Sequence, residues 1–179
     1  MIILQALYFM LPAYFANMAP VFASKIFGNK IAYPLDCNLK YNGRPFLGAN
    51  KTWRGLIAGV IIGIVTIYLQ YYLYNISFFH SISILDYYQI NLILYGFIFG
   101  FGVILGDAIK SFFKRQANLK PGDKWFPWDQ LDFLGALILI NFVYQPSLAI
   151  IFLIVIISPL LPIAANWIGY KLGIKRVAW

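Results

Sequence analysis

Four long apolar runs, Ile2 to about Ala23, Leu56 to Tyr74, Asn91 to Ile109 and Leu148 to Ile168, leave this chain little choice but a lipid bilayer. Crossing a hydrocarbon core of roughly 30 Å takes about 20 mostly apolar residues in a helix, whose backbone groups satisfy one another without water. Of the 179 residues 61% are apolar and only 11% are charged, too little polar surface to coat a soluble domain of this size. A fifth run, Phe133 to Tyr144, has only 12 residues, about 18 Å of helix. To span, it must recruit the residues before it, which draws Asp129 and Asp132 to the membrane edge. The expected fold is therefore all-α: a polytopic integral membrane protein with five transmembrane helices, forming a single membrane domain over residues 1–179.

The ends of the runs carry the punctuation. The first run is read as bent near Pro12 and ending near Pro20, because proline interrupts the helical ladder. Val21-Phe22-Ala23 has the look of a signal cleavage site, but no basic residue precedes the run, so a retained helix is expected. The last run is expected to kink at Pro159 and Pro162. In the third run Gly96, Gly100, Gly102 and Gly106 stand at small-xxx-small spacings that let helices approach closely, whether within the chain or in a homodimer.

With five spans the loops alternate sides, and charge then orients the protein. Lys25, Lys30, Lys40, Arg44, Lys51 and Arg54 fall in the first loop, Lys110, Lys114, Arg115, Lys120 and Lys124 in the third, and Lys171, Lys175 and Arg176 in the tail. All fourteen basic residues thus land on one face. Basic loops stay in the cytoplasm, so the N-terminus is expected outside, the C-terminus in the cytoplasm, and loops 25–54 and 110–131 together on the cytoplasmic face of the cell membrane. The net charge of +8 belongs to these loops, which face anionic headgroups and anionic substrates, and no nucleic-acid partner is expected.

Chemistry concentrates between Gly106 and Asp132, which hold four of the six carboxylates. Asp107 sits inside the end of an apolar helix, where a carboxylate is costly unless paired or liganded. If that helix continues, Asp107, Lys110, Ser111, Lys114 and Arg115 share one face. Asp129 and Asp132, three residues apart, project to one side. With Asp107 they point to one or two magnesium ions on short carboxylates, although Asp107 could simply pair with Lys110 and Asp129 could cap the next helix. Lys114, Arg115, Lys120 and Lys124 supply positive charge for oxyanions or serve as solvated anchors. Metal-ready Asp beside Lys and Arg is what phosphoryl-type transfer calls for. Upstream, Asn50, Lys51 and Thr52 open the second run, where amides and a lysine can hold a phosphate, or where Asn50 or Thr52 caps the helix. Gly43 and Gly48 have P-loop spacing, but Ala49 and Asn50 replace the residues a P-loop requires. A single Cys37 excludes an intrachain disulfide and a cysteine-based metal site, and a single His80 argues against a histidine metal cluster or a Ser-His-Asp triad. His80, Cys37 and Asp86 read as loop residues.

The pattern Gly106-Asp107, Ser111, Lys114-Arg115, Lys120, Asp123, Pro127 and Asp129-Gln130-Leu131-Asp132 resembles the signature of the membrane CTP-dependent cytidylyltransferases, the phosphatidate cytidylyltransferase superfamily. GANKTWRG, residues 48–55, is similar to that family's upstream Lys-Thr-Trp element. Trp125-Phe126-Pro127-Trp128 replaces the His-Gly-Gly segment of bacterial and eukaryotic members, and Gln130 replaces an arginine. The Lys-Pro-Gly-Asp and Asp-Gln-Leu-Asp-Phe forms look most like the archaeal branch. That resemblance implies transfer of CMP from CTP to 2,3-bis-O-geranylgeranyl-glycerol 1-phosphate, an isoprenoid glycerol phosphate lipid, with release of pyrophosphate and a need for magnesium. It implies Asp107, Asp129, Asp132, Lys114 and Arg115 as catalytic residues. Asn50, Lys51, Thr52, Ser111, Lys120, Asp123 and Lys124 would bind the nucleotide. Formation of CDP-diacylglycerol is the alternative within the superfamily; a small cation- or proton-coupled transporter and a non-catalytic scaffold are alternatives outside it.

Overall fold

The computed structural model describes residues 1–28, 30–120 and 123–171, without the side chains of 165, 166 and 168–170. Lys175 and Arg176 of the tail lie outside the described residues. Among the described residues, three helices are long and apolar enough to cross a membrane: α1 (Ile2–Phe27), α2 (Trp53–Leu73) and α4 (Leu92–Gln116). Between them lie a two-stranded hairpin, β1 (Lys40–Tyr41) with β2 (Arg44–Pro45), and a short helix, α3 (Ser77–Ile82). After a 3-10 turn at Trp128–Gln130 come α5 (Phe133–Ile140), α6 (Leu148–Ile157) and α7 (Leu160–Lys171).

The protein is a helical membrane bundle, with four departures from expectation. Helix α1 runs through Pro12 and Pro20 to Phe27, so Lys25 belongs to a helix and not to a loop. The missing proline amide is tolerated because packing holds the helix: Ala19 and Ala23 are buried, and the Pro20 ring lies over Gly55 of α2. Gly28, with φ +54°, ends α1 in the left-handed region. The hairpin is the second departure from an all-α fold. Asn42 and Gly43 take φ of +50° and +75°, the paired positive angles of a tight hairpin turn. Third, α5 is shorter than its apolar run, only 8 residues. The last run breaks at Ser158-Pro159, between α6 and α7, and not at Pro162, which lies inside α7.

Helix α4 is the centre of the bundle, and its glycines are the reason. In lipid no hydrophobic force drives helices together, so close backbone contact and dispersion must do so. On one face of α4, Gly96 and Gly100 meet α2 at Ile64, Gly59 and Val60; a Cβ at Gly100 would stand 2.7 Å from the Gly59 carbonyl oxygen. On another face, Gly102 and Gly106 meet Ala136, Gly135 and Asp132 of the α5 segment. All four glycines are thus used by contacts within the chain. Helix α1 closes the bundle with an alanine stripe, Ala6, Ala13 and Ala16, and sets Phe9 edge-on against Phe99 at 5.3 Å. Two polar contacts tie helices together: Gln70 donates to the Tyr8 carbonyl at 2.6 Å, and Tyr14 bonds Ser158 at 2.6 Å.

This geometry makes graded predictions. A methyl group at Gly135 would overlap the Gly102 carbonyl, whereas one at Gly55 would meet a proline carbon at 3.2 Å. Gly135→Ala should therefore cost more than about 3 kcal/mol, and Gly55→Ala about 1 kcal/mol or less. Thermal unfolding of the detergent-solubilised proteins, with the yield of monodisperse protein, checks the order.

Candidate active site

The segment 30–54 and the end of α4 meet at one end of the bundle, and local chemistry explains how. Residues Tyr33 to Asp36 run antiparallel to Lys51–Trp53: Leu35 N–H donates to the Lys51 carbonyl at 2.7 Å and Trp53 N–H to the Tyr33 carbonyl at 3.0 Å. The hairpin docks on α4 through Phe46 and Phe112, whose ring centres are 4.8 Å apart. Arg44 donates to the Gln116 carbonyl at the end of α4. Thr52 caps α2, its hydroxyl oxygen accepting the Gly55 amide.

One residue that sequence reasoning missed organises this loop. Asp36 is only 6% exposed and accepts amides from Asn38 at 3.0 Å, Leu47 at 2.7 Å and Gly48 at 3.2 Å. Burial opposes its charge, but the amide donors outweigh burial and hold its carboxyl below the ordinary value of 3.8. Nothing in its local sequence signals this, because Leu47 and Gly48 are distant in the chain.

Leu47 and Gly48 line a cleft of about 150 Å³ with Asn50, Lys51, Asp107, Lys110, Ser111, Lys114, Arg115 and Asp129. Helical spacing puts Asp107, Lys110, Ser111, Lys114 and Arg115 on the cleft face of α4. Charges interlock along it. Lys51 pairs with Oδ2 of Asp107, and Lys110 lies 3.2 Å from Oδ1 of Asp107 while also pairing with Asp132. Lys114 bonds both Asp129 oxygens, at 2.8 and 3.1 Å. From α1, Asn17 donates to Asp132 at 3.2 Å, a second contribution the sequence did not reveal.

Asp129 is not the cap of α5. Asp132 takes that position, without a side-chain capping bond, while Asp129 accepts the Trp125 amide at 2.8 Å. Asp123 stands outside the lining: its carboxylate accepts the Lys120 amide at 2.6 Å and its carbonyl accepts Lys114 at 2.5 Å. Lys120, Lys124 and Thr52 are likewise not among the described lining residues.

Two features bear on ligands. Arg115 lines the cleft at 9% exposure with no carboxylate partner among the described residues, and its Nε–H has no acceptor. A buried guanidinium without a counter-ion is costly, so this position suits an anion. Asp107 and Asp132 both reach the Lys110 ammonium, so both can address one cation position. That fits magnesium, which takes one or two carboxylates together with substrate phosphates. Asp129 is turned to Lys114 instead, and no three His, Cys, Asp or Glu side chains gather among the described residues.

A helical membrane bundle that gathers carboxylates, lysines and an arginine around one cleft has the groups that phosphoryl-type transfer uses. The chain belongs to the CarS-like CDP-archaeol synthase family, whose model matches residues 1–179. It is 38% identical to a CDP-archaeol synthase of Thermococcus gammatolerans, over 97% of this chain and 95% of that one. It is 34% identical to a CDP-archaeol synthase of Methanospirillum hungatei, over 95% of this chain and 100% of the relative. The fold is similar to a solved intramembrane enzyme for archaeal membrane lipid biosynthesis, with a TM-score of 0.72 at 30% identity, covering 92% of this chain and 94% of that one.

The Asp36 geometry predicts acid sensitivity. A carboxyl held low in the folded loop stabilises it above the ordinary value, and that stability is lost as pH falls through the lowered one. Amide exchange at Leu47 and Gly48, corrected for its intrinsic pH dependence, should be slow at neutral pH and quicken below about pH 4. Asp36→Asn should exchange faster at neutral pH and lose most of that acid dependence.

Proposed function

We propose that this protein transfers CMP from CTP to 2,3-bis-O-geranylgeranyl-glycerol 1-phosphate, giving CDP-archaeol and pyrophosphate, at the cleft beside Asp107 and Arg115. The observation that carries the site assignment is the buried, unmatched Arg115 facing a cleft whose carboxylates already hold cations. Full-length similarity to CDP-archaeol synthases carries the reaction, and favours the isoprenoid lipid over phosphatidic acid.

In this reading the lipid phosphate attacks the α-phosphorus of CTP in line. A new P–O bond forms as the α–β anhydride breaks, and its electron pair leaves on pyrophosphate. The second pKa of a phosphate monoester is about 6, so the nucleophile is already anionic and no base is needed. Arg115, Lys51 and Lys114 bind and orient triphosphate oxygens, with Asn50 and Ser111 as neutral donors on the same lining. Lys120 and Lys124, exposed beyond the end of α4, meet the nucleotide from outside. Asp107 and Asp132 would hold magnesium, with Asp129 placing Lys114. Bound there, magnesium would neutralise charge on the phosphate oxygens and on the departing pyrophosphate.

The lipid chains lie in the apolar groove between α1 and α2, about 630 Å³, lined by Phe15, Met18, Phe22, Ile61, Val65 and Leu69. Five spans complete the arrangement: α1, α2, α4, the α5 segment, and α6 with α7. The N-terminus is then outside and the cleft cytoplasmic, where CTP is made. The one-sided basic residues support that orientation.

Purified protein given CTP labelled at the α-phosphorus and the geranylgeranyl lipid should form labelled CDP-archaeol in the presence of magnesium. Asp107→Asn and Asp132→Asn should lower the rate at least about 100-fold while remaining folded. Arg115→Gln should mainly raise KM for CTP, by about tenfold or more. Full activity in both aspartate variants would overturn the assignment.

A further inference from the structure

Lys110 takes no part in the mechanism above, yet it sits where its charge matters most. Its ammonium donates to Asp132 Oδ1 and to the Asp129 carbonyl at 3.1 Å, and it lies 3.2 Å from Asp107 Oδ1 as an ion pair, so three oxygens from two segments surround it. The remaining oxygen of each carboxylate is also engaged, Asp107 Oδ2 by Lys51 and Asp132 Oδ2 by Asn17. All three side chains are largely shielded, with 15% of Lys110, 19% of Asp107 and 14% of Asp132 exposed. Two carboxylates and a carbonyl around one cation form a set of hard oxygen donors of the kind a divalent ion takes.

We propose that Lys110 is a tethered counter-cation which a divalent metal must displace from between Asp107 and Asp132, freeing its ammonium for the phosphates in the cleft it lines. The inference rests on the reading that these two aspartates hold the metal. Two carboxylates this close repel unless a cation lies between them, so something must neutralise them before substrate arrives. Lys110 does so from within α4, three residues beyond Asp107. An ammonium and a metal ion cannot occupy the same position between the two carboxylates, so metal affinity is held down by the lysine. Once displaced, the ammonium adds positive charge to the cleft, and metal binding thereby favours triphosphate binding. By linkage the triphosphate favours the metal equally.

The test uses the metal alone on the full-length protein in detergent. In the wild type, acetylation of Lys110, followed by mass spectrometry, should speed up about tenfold when Mg2+ is added, while the exposed Lys40 is unaffected. Lys110→Met should bind Mn2+ about tenfold more tightly than the wild type, read from free Mn2+ by electron paramagnetic resonance. It should also melt lower than the wild type in chelator and gain more from added Mn2+. If Lys110→Met is isolated only with metal present, the same affinities are read by chelator competition. An unchanged labelling rate at Lys110, or an Mn2+ affinity in Lys110→Met equal to or weaker than that of the wild type, overturns the proposal. Product formation by the wild type is measured alongside. If CDP-archaeol is made while the Lys110 results fail, displacement falls and the reaction stands. If no product forms, the reading of the site falls with it.

Discussion

Everything at the cleft depends on how closely α4 approaches its neighbours. Gly100 rests on the backbone of α2 at Gly59 and Val60, and Gly106 rests on the backbone at Asp132, where α5 begins. A side chain at either position would push the neighbouring backbone away. Because the gap is closed, Lys51 from the start of α2 and Asp132 from the start of α5 reach the same turn of α4, where Asp107 and Lys110 stand. The glycines therefore do more than pack a membrane bundle. They set the spacing of its charges.

Those charges are balanced pair by pair. Lys51, Lys110 and Lys114 face Asp107, Asp132 and Asp129, and Arg115 is left over beside the cleft. Such a site has little net charge to destabilise it, and among the described residues it carries one buried cation, Arg115, without a carboxylate partner. An anionic substrate that brings a divalent cation answers both sides of this arrangement, with phosphates for the basic groups and metal for the carboxylates. The same logic explains why a chain with a single, distant histidine suffices. His80 stacks on Tyr74 near the end of α2 away from the cleft, and a phosphate nucleophile needs no base.

Much of this was legible in the sequence because it is local. Three of the four long apolar runs are α1, α2 and α4, and helical spacing places Asp107, Ser111, Lys114 and Arg115 on one face of α4. The Asn42-Gly43 pair was a readable hairpin signal that composition obscured. What could not be read depends on contacts between distant segments. Asp36 looks like an ordinary loop carboxylate until Leu47 and Gly48 fold back onto it. Asn17 lies 115 residues from the aspartate it contacts. Pro20 marks a helix end by local rules, yet α1 continues past it because Gly55 gives its ring a seat. Asp129 and Asp132 share a side on an ideal helix, but they straddle the end of a 3-10 turn and so part, one to Lys114 and one to Lys110.

The central claim is that the start of α2 and the middle of α4 converge on one site inside the membrane-bound protein. Cysteine pairs in native membranes test it most directly, with the only natural cysteine, Cys37, replaced by serine. Lys51→Cys with Asp107→Cys should be joined rapidly by a short bifunctional thiol reagent, as should Tyr14→Cys with Ser158→Cys, which marks an independent contact between helices. Linkage of the second pair without the first would contradict the account, because the bundle would then form without the convergence on which the site depends.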